Sequence, residues 1–193
     1  MDAEDGAAAV RAARTVAEAE TRGRKADISL PQSFDAPSGV FVTIETHPRR
    51  DLRGCIGYPE PVMPLKDALR ESARSACHDP RFPPLSYGEL SEVVFEVTVL
   101  SIPQTIRHTG PEDLLGKMEV GRDGLILECR GRRGLLLPQV PVEWGWGKEE
   151  YLVHLSLKAG LPPDAWTWPD AVVHAFTGEI FSETEPKGEI VRK

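Results

Sequence analysis

Apolar residues alternate in the run Gly39–Glu45, where Val40, Val42 and Ile44 fall on one side; this spacing predicts a half-buried β-strand. LRGCIG (52–57) follows the loop His47–Asp51 and reads as a second strand. Between Pro64 and Cys77 the period changes: Leu65, Ala68, Leu69, Ser72, Ala73 and Ala76 share one helical face. Pro64 suits the first turn of that helix, and Asp79-Pro80 stops it. Val93–Leu100 (VVFEVTVL) is β-branched and predicts a central strand. Leu125–Cys129 and Leu135–Leu137 flank Arg130-Gly131-Arg132-Arg133-Gly134, a predicted hairpin with a basic tip. A helix over Lys148–Ala159 closes on Gly160, and Ala171–Phe181 returns as a strand. At the N-terminus, residues 5–21 form an alanine-rich helix with a weak apolar face, and residues 22–38 form a proline-containing connector. After Phe181, Glu183, Glu185, Pro186 and Gly188 predict a fraying tail. Strands and helices mix without a regular βαβ alternation. The expected class is therefore α+β, with mainly antiparallel sheets flanked by helices.

Composition narrows the function classes. The 193 residues suit one domain spanning 1–193, with room for two closely packed lobes. A net charge of −7 gives the molecule no overall basic footprint for duplex DNA. No apolar run approaches the roughly 20 residues that span a bilayer, and the acidic start MDAEDGAAAV is unlike a signal peptide, so a cytoplasmic location is expected. The three cysteines, Cys55, Cys77 and Cys129, are too few and too widely spaced for a disulfide framework. No close His/Cys ligand pair, P-loop or G-x-G-x-x-G turn is present, so neither a metal nor a cofactor is expected.

LRGCIG concentrates the chemistry. Strict alternation would put Arg53 and Cys55 on one face, where a guanidinium favours the thiolate. Gly54 and Gly57 remove side chains beside the thiol and admit a ligand or another backbone. That makes Cys55 a candidate nucleophile, with His47 or His78 as base if the fold brings either near. An equally physical alternative makes Cys55 a small core filler, Arg53 a structural ion-pair partner and the glycines the mark of a bulge. Asp79 and Arg81, in the stiff DPRFPP turn, form either a two-point anion site or a local ion pair. Gln139 and Glu143, in the proline-broken LPQVPVEWGWG segment, are candidate ligand-binding side chains. Trp144, Trp146, Trp166 and Trp168 are expected to pack against the core. His47, Arg49 and Arg50, together with Arg130, Arg132 and Arg133, are basic loop residues able to form a phosphate patch only if they meet.

Seven segments occur in order: GVFVTI (39–44), LRGCIG (52–57), DPRFPPLS (79–86), VTVLS (97–101), VGRDGLIL (120–127), RGLLLPQV (133–140) and LKAGLP (157–162). Together they closely resemble the AMMECR domain family, over residues 39–181. The resemblance implies a compact two-lobed α+β domain with LRGCIG near the cleft between the lobes. It also implies a genomic setting beside Memo-like and radical SAM proteins as possible partners. Two functions stay open. One is an enzyme or enzyme component that binds a small anionic or nucleotide-like ligand through Arg53 and Arg81, with Cys55 reactive. The other is a non-catalytic module for a peptide, nucleotide or nucleic acid.

Overall fold

The computed structural model describes residues 1–193, which divide into two compact units: residues 1–100 with 179–193, and residues 101–178. The first unit opens with α1 (Ala3–Glu20), whose Asp2 cap accepts the Asp5 N–H at 2.8 Å. It continues through β1 (Val40–Thr46), β2 (Leu52–Tyr58), α2 (Leu65–Ala76) and β3 (Val93–Leu100). The second unit contains β4 (Gln104–Thr105), α3 (Pro111–Lys117), β5 (Gly124–Cys129), β6 (Arg132–Leu136), α4 (Gln139–Trp144), α5 (Lys148–Lys158) and β7 (Val172–Phe176). The chain then returns to the first unit through β8 (Gly178–Glu183) and β9 (Ile190–Arg192). The class is α+β.

The first unit is a five-stranded sheet in the order β2-β1-β3-β8-β9. Val40, Val42 and Ile44 are fully buried on the side that α1 and α2 cover. The six α2 residues on the predicted face are the six buried ones, so the periodic stripe of α2 and the alternation of β1 form one core. The second unit is a four-stranded antiparallel sheet in the order β4-β7-β5-β6, with α5 packed on it through Tyr151, Leu152 and Leu155. Its hairpin turns at Arg130 and Gly131, both at positive φ (51° and 71°), as a tight two-residue connection requires.

Three expectations change. The predicted strand 171–181 is two strands, β7 and β8, divided near Thr177. Gln139–Trp144 forms a short helix, α4, ended by Gly145 at φ 69°, instead of an irregular loop. The tail after Phe181 is built into the sheet instead of fraying. Glu183 is buried and takes Arg14 Nε and Nη2 at 2.5 Å each, together with the Phe95 N–H at 3.0 Å. Arg14 also donates to the Leu90 and Val93 carbonyls and lies 4.7 Å from the Phe95 ring centre. An acid that reads as solvated is thus the counter-ion of a buried arginine 169 positions away.

Candidate functional site

LRGCIG is β2, the edge strand of the first sheet. Val42 pairs with Ile56 and Ile44 with Gly54, so Gly54 and Ile56 face the helices. Thr43 pairs with Cys55 on one side and Glu96 on the other, giving a row Cys55–Thr43–Glu96 on the opposite face. Gly54 is required by close approach: a Cβ there would lie 2.4 Å from the Ala76 carbonyl oxygen at the end of α2.

The alternation breaks at Arg53. Ile44 opposes Gly54 but Glu45 opposes Leu52, so β2 carries one extra residue, and that residue is Arg53. Its side chain is 13% exposed, and its Nε donates to Glu89 at 2.8 Å. Glu89 also accepts the Ser86 N–H and hydroxyl at 2.8 Å each, completing a capping box on the turn 87–91. The bond from Arg53 is the main reason the Glu89 carboxyl is lowered to about 2. The expected Arg53–Cys55 pairing is therefore replaced by Arg53–Glu89, because the bulge removes the regularity on which alternation rests.

The charge beside Cys55 is Arg81. Asp79, with its side chain 1% exposed, accepts the Cys55 N–H at 2.9 Å and the Arg81 N–H at 3.0 Å. It also takes Arg81 Nε at 3.0 Å and Nη2 at 2.7 Å, while Nη2 reaches the Cys55 carbonyl at 3.3 Å. The Asp79–Arg81 fork thus occupies the outward N–H and C=O of Cys55, as a neighbouring strand would, and closes the sheet edge there. Arg81 holds the Asp79 carboxyl far below the usual carboxylate range. Arg81 itself is 55% exposed. Arg53 and Arg81 place their guanidinium carbons 5.9 and 5.7 Å from the same Phe82 ring centre.

Burial pushes the Cys55 thiol up; the Thr43 hydroxyl, 3.2 Å from Sγ, and Arg81 act in the opposite sense, and Asp79 and Glu96 add to the rise. No histidine is among the groups that contact or bias it. His78 instead meets Glu20 at 2.9 Å, in a shallow depression of about 450 Å³ lined by Ile56, Arg74 and Pro80 on the helix side of β2. His47 donates its backbone N–H to Glu92. Cys77 and Cys129 are buried, and burial raises the Cys77 thiol to about 12. No three His, Cys, Asp or Glu side chains gather into a metal-binding group.

Gln139 and Glu143 lie on α4 in the second unit, and Glu143 is exposed. The basic loop residues have internal partners. Arg49 pairs with Asp51, Arg50 with Glu45, Arg130 with Asp170 and Arg133 with Glu128, while Arg132 donates to the Gly160 carbonyl. Trp166 is buried as expected and Trp146 and Trp168 are partly buried, but Trp144 stands 71% exposed. Thr43, Phe82, Glu89 and Glu96 complete the first-unit site and were not singled out by pattern. Of their connections, only the Ser86-x-x-Glu89 capping box has a local signature.

A family model described as AMMECR1 matches residues 10–181. The chain is 51% identical over 192 residues to Protein MJ0810 of Methanocaldococcus jannaschii, covering 98% of this chain and 96% of that one. It is 48% identical over 205 residues to a protein of Thermofilum pendens, covering 100% and 96% respectively. The crystal structure of the uncharacterized protein PH0010 from Pyrococcus horikoshii superposes with a TM-score of 0.81 at 44% identity, covering 100% of this chain and 98% of that one. No helix is long and apolar enough to cross a membrane.

Proposed function

The chain belongs to the AMMECR1 family, and on that premise we propose that it is a binding module. Its ligand carries an anionic oxygen group, phosphate or carboxylate, received by Arg81 at the edge of the first sheet. The observation that carries this reading is the pair of guanidinium groups against one Phe82 ring, each oriented by its own carboxylate. Asp79 uses Nε and Nη2 of Arg81, which leaves the two N–H groups of Nη1 for a ligand. A guanidinium fixed this way binds without first losing side-chain freedom. Arg53, held by Glu89, supplies a second positive charge near the same ring. Cys55 acts as a wall of the site, because its thiol is shifted away from the nucleophilic form and lacks a neighbouring base.

The test is a titration with pyrophosphate, and separately with citrate, followed by the arginine Nε–H and backbone amide signals in NMR. A saturable shift at Arg81 Nε–H and the Cys55 amide is expected; the Cys55 amide shift is lost in Arg81→Gln, and the Arg81 Nε–H shift is kept in Cys55→Ala. The arm that saturates at lower concentration names the ligand chemistry. Absence of any saturable shift up to about 10 mM of either anion removes the anion-binding reading, since weaker association than this is below the millimolar scale of specific contacts. Rapid alkylation of Cys55 by iodoacetamide at pH 7 restores the thiol-enzyme reading in its place.

A further inference from the structure

The second unit carries a surface that the anion site leaves unexplained. Gly145, in the left-handed conformation, ends α4, and the WGWG run (144–147) then sets two indoles side by side. Trp144 and Trp146 stack with centres 6.1 Å apart at 19°, and Trp146 lies on His154 of α5 at 3.8 Å and 4°. The result is a three-ring ladder with Trp144 at its open end. Leu157, three residues after His154 on α5, extends it with more exposed apolar surface. Large exposed apolar patches of this kind are uncommon on a soluble protein without a partner.

The charges around the ladder say what partner fits. Glu143 precedes Trp144, and Glu149 and Glu150 lie in the first turn of α5; all three are exposed. Glu150 is four residues before His154, hence on the same helical face as the ring that stacks on Trp146. The basic residue in this stretch, Lys148, is tied through Nζ to the Leu115 carbonyl at 2.8 Å, and Lys158 stands at the far end of the helix. Electron-rich ring faces bordered by carboxylates favour a cation and disfavour a polyanion. The chain already uses this chemistry internally: Arg130 lies 4.1 Å over Trp168 while bonded to Asp170, and Arg22 lies 4.2 Å over Tyr87.

We propose that the Trp144–Trp146–His154 ladder, with Glu143 and Glu150 at its border, is a docking surface for an arginine-bearing segment of a partner protein. A guanidinium stacks on the free face of Trp144 while its N–H groups meet the carboxylates; the apolar part of the segment covers Leu157. This surface is independent of the Arg81 site and takes a ligand of opposite charge, so either can fail alone.

The probe is the pentapeptide Ac-Gly-Arg-Gly-Arg-Gly-amide, with its citrulline counterpart as control, titrated into the full chain and followed at the indole Nε1–H signals. Saturable movement of the Trp144 and Trp146 signals by the arginine peptide alone is expected. Trp144→Ala weakens binding by about tenfold, as loss of a cation–π contact implies, and Glu150→Gln weakens it by a smaller factor and flattens its salt dependence. Trp144 is at the surface, so its variant retains the fold, which the unchanged amide spectrum of β5 and β7 verifies. Equal shifts with the citrulline peptide, or none with either, overturn the proposal. A concentration-dependent dimer in sedimentation that Trp144→Ala dissolves also overturns it, by making a second copy the occupant; shifts caused by a single-stranded oligonucleotide in place of the peptide do the same.

Discussion

Replacing Asp79 by Asn isolates the contact that closes the sheet edge. Asp79 receives four N–H groups, from Cys55 at 2.9 Å and from Arg81 at 3.0, 3.0 and 2.7 Å, two on each oxygen. An amide of the same shape turns one oxygen into a donor, so two of the four N–H groups meet an N–H. Hydrogen bonds to a charged group contribute about 1.5–3 kcal/mol each. Arg81 is more than half exposed and regains water, which discounts its share. The net cost of D79N is about 2–4 kcal/mol, or roughly 5–15 °C in Tm for a chain of this length. The sign with pH follows from a carboxyl lowered by folding: the stabilisation is complete above about pH 5 and is lost progressively as pH falls below about 4, and D79N loses that slope. All four tryptophans lie in the second unit, so fluorescence carries no reporter inside the first. The assay is urea unfolding by far-ultraviolet circular dichroism, with hydrogen exchange read at the Cys55 amide. If D79N stays within about 0.5 kcal/mol of the parent and the Cys55 amide exchanges no faster, the Asp79–Arg81 fork does not hold the edge.

Gly54→Ala puts a Cβ 2.4 Å from the Ala76 carbonyl and should cost about 1–3 kcal/mol by forcing β2 and α2 apart; unchanged exchange protection in α2 would contradict the close approach. Glu183→Gln leaves Arg14 charged and buried without a counter-ion, with an expected loss of about 3–5 kcal/mol in urea unfolding. A cost below about 1 kcal/mol for Glu183→Gln would remove the tail's anchoring role. Cys77, with its thiol raised to about 12, should resist Ellman's reagent at pH 8 until the first unit unfolds; labelling in the native protein would count against its burial.

Elements whose burial follows one period were legible: the stripe of α2 and the alternation of β1 needed no knowledge of their partners. The connections of the site were not, because each depends on pairing across the fold. Arg53 changes direction at a bulge that exists only once β1 supplies the register. Its partner Glu89 lies 36 residues away, although Ser86 and Glu89 display their capping box locally. Glu183 reads as a tail residue until Arg14 is placed beside it. The resemblance starts at Gly39, whereas the family model begins at residue 10 within α1, since an alanine-rich helix carries little distinctive sequence. Trp144 departs from the packing expected of tryptophan: it is the last residue of α4, which ends at left-handed Gly145, and its ring lies against Trp146 at the surface.

Two properties carry the proposed function: Arg81 as a ligand anchor and Cys55 as a thiol that stays protonated. A pH titration of the Cys55 ¹³Cβ signal, free and with saturating pyrophosphate, tests both in one sample. The predicted result is a midpoint above the ordinary thiol value of about 8.5 in the free protein, with the Arg81 Nε–H signal moving on addition of the anion. A midpoint below about pH 7, the range of activated cysteines, together with an unmoved Arg81, would contradict it and make Cys55 the reactive group of the family's site.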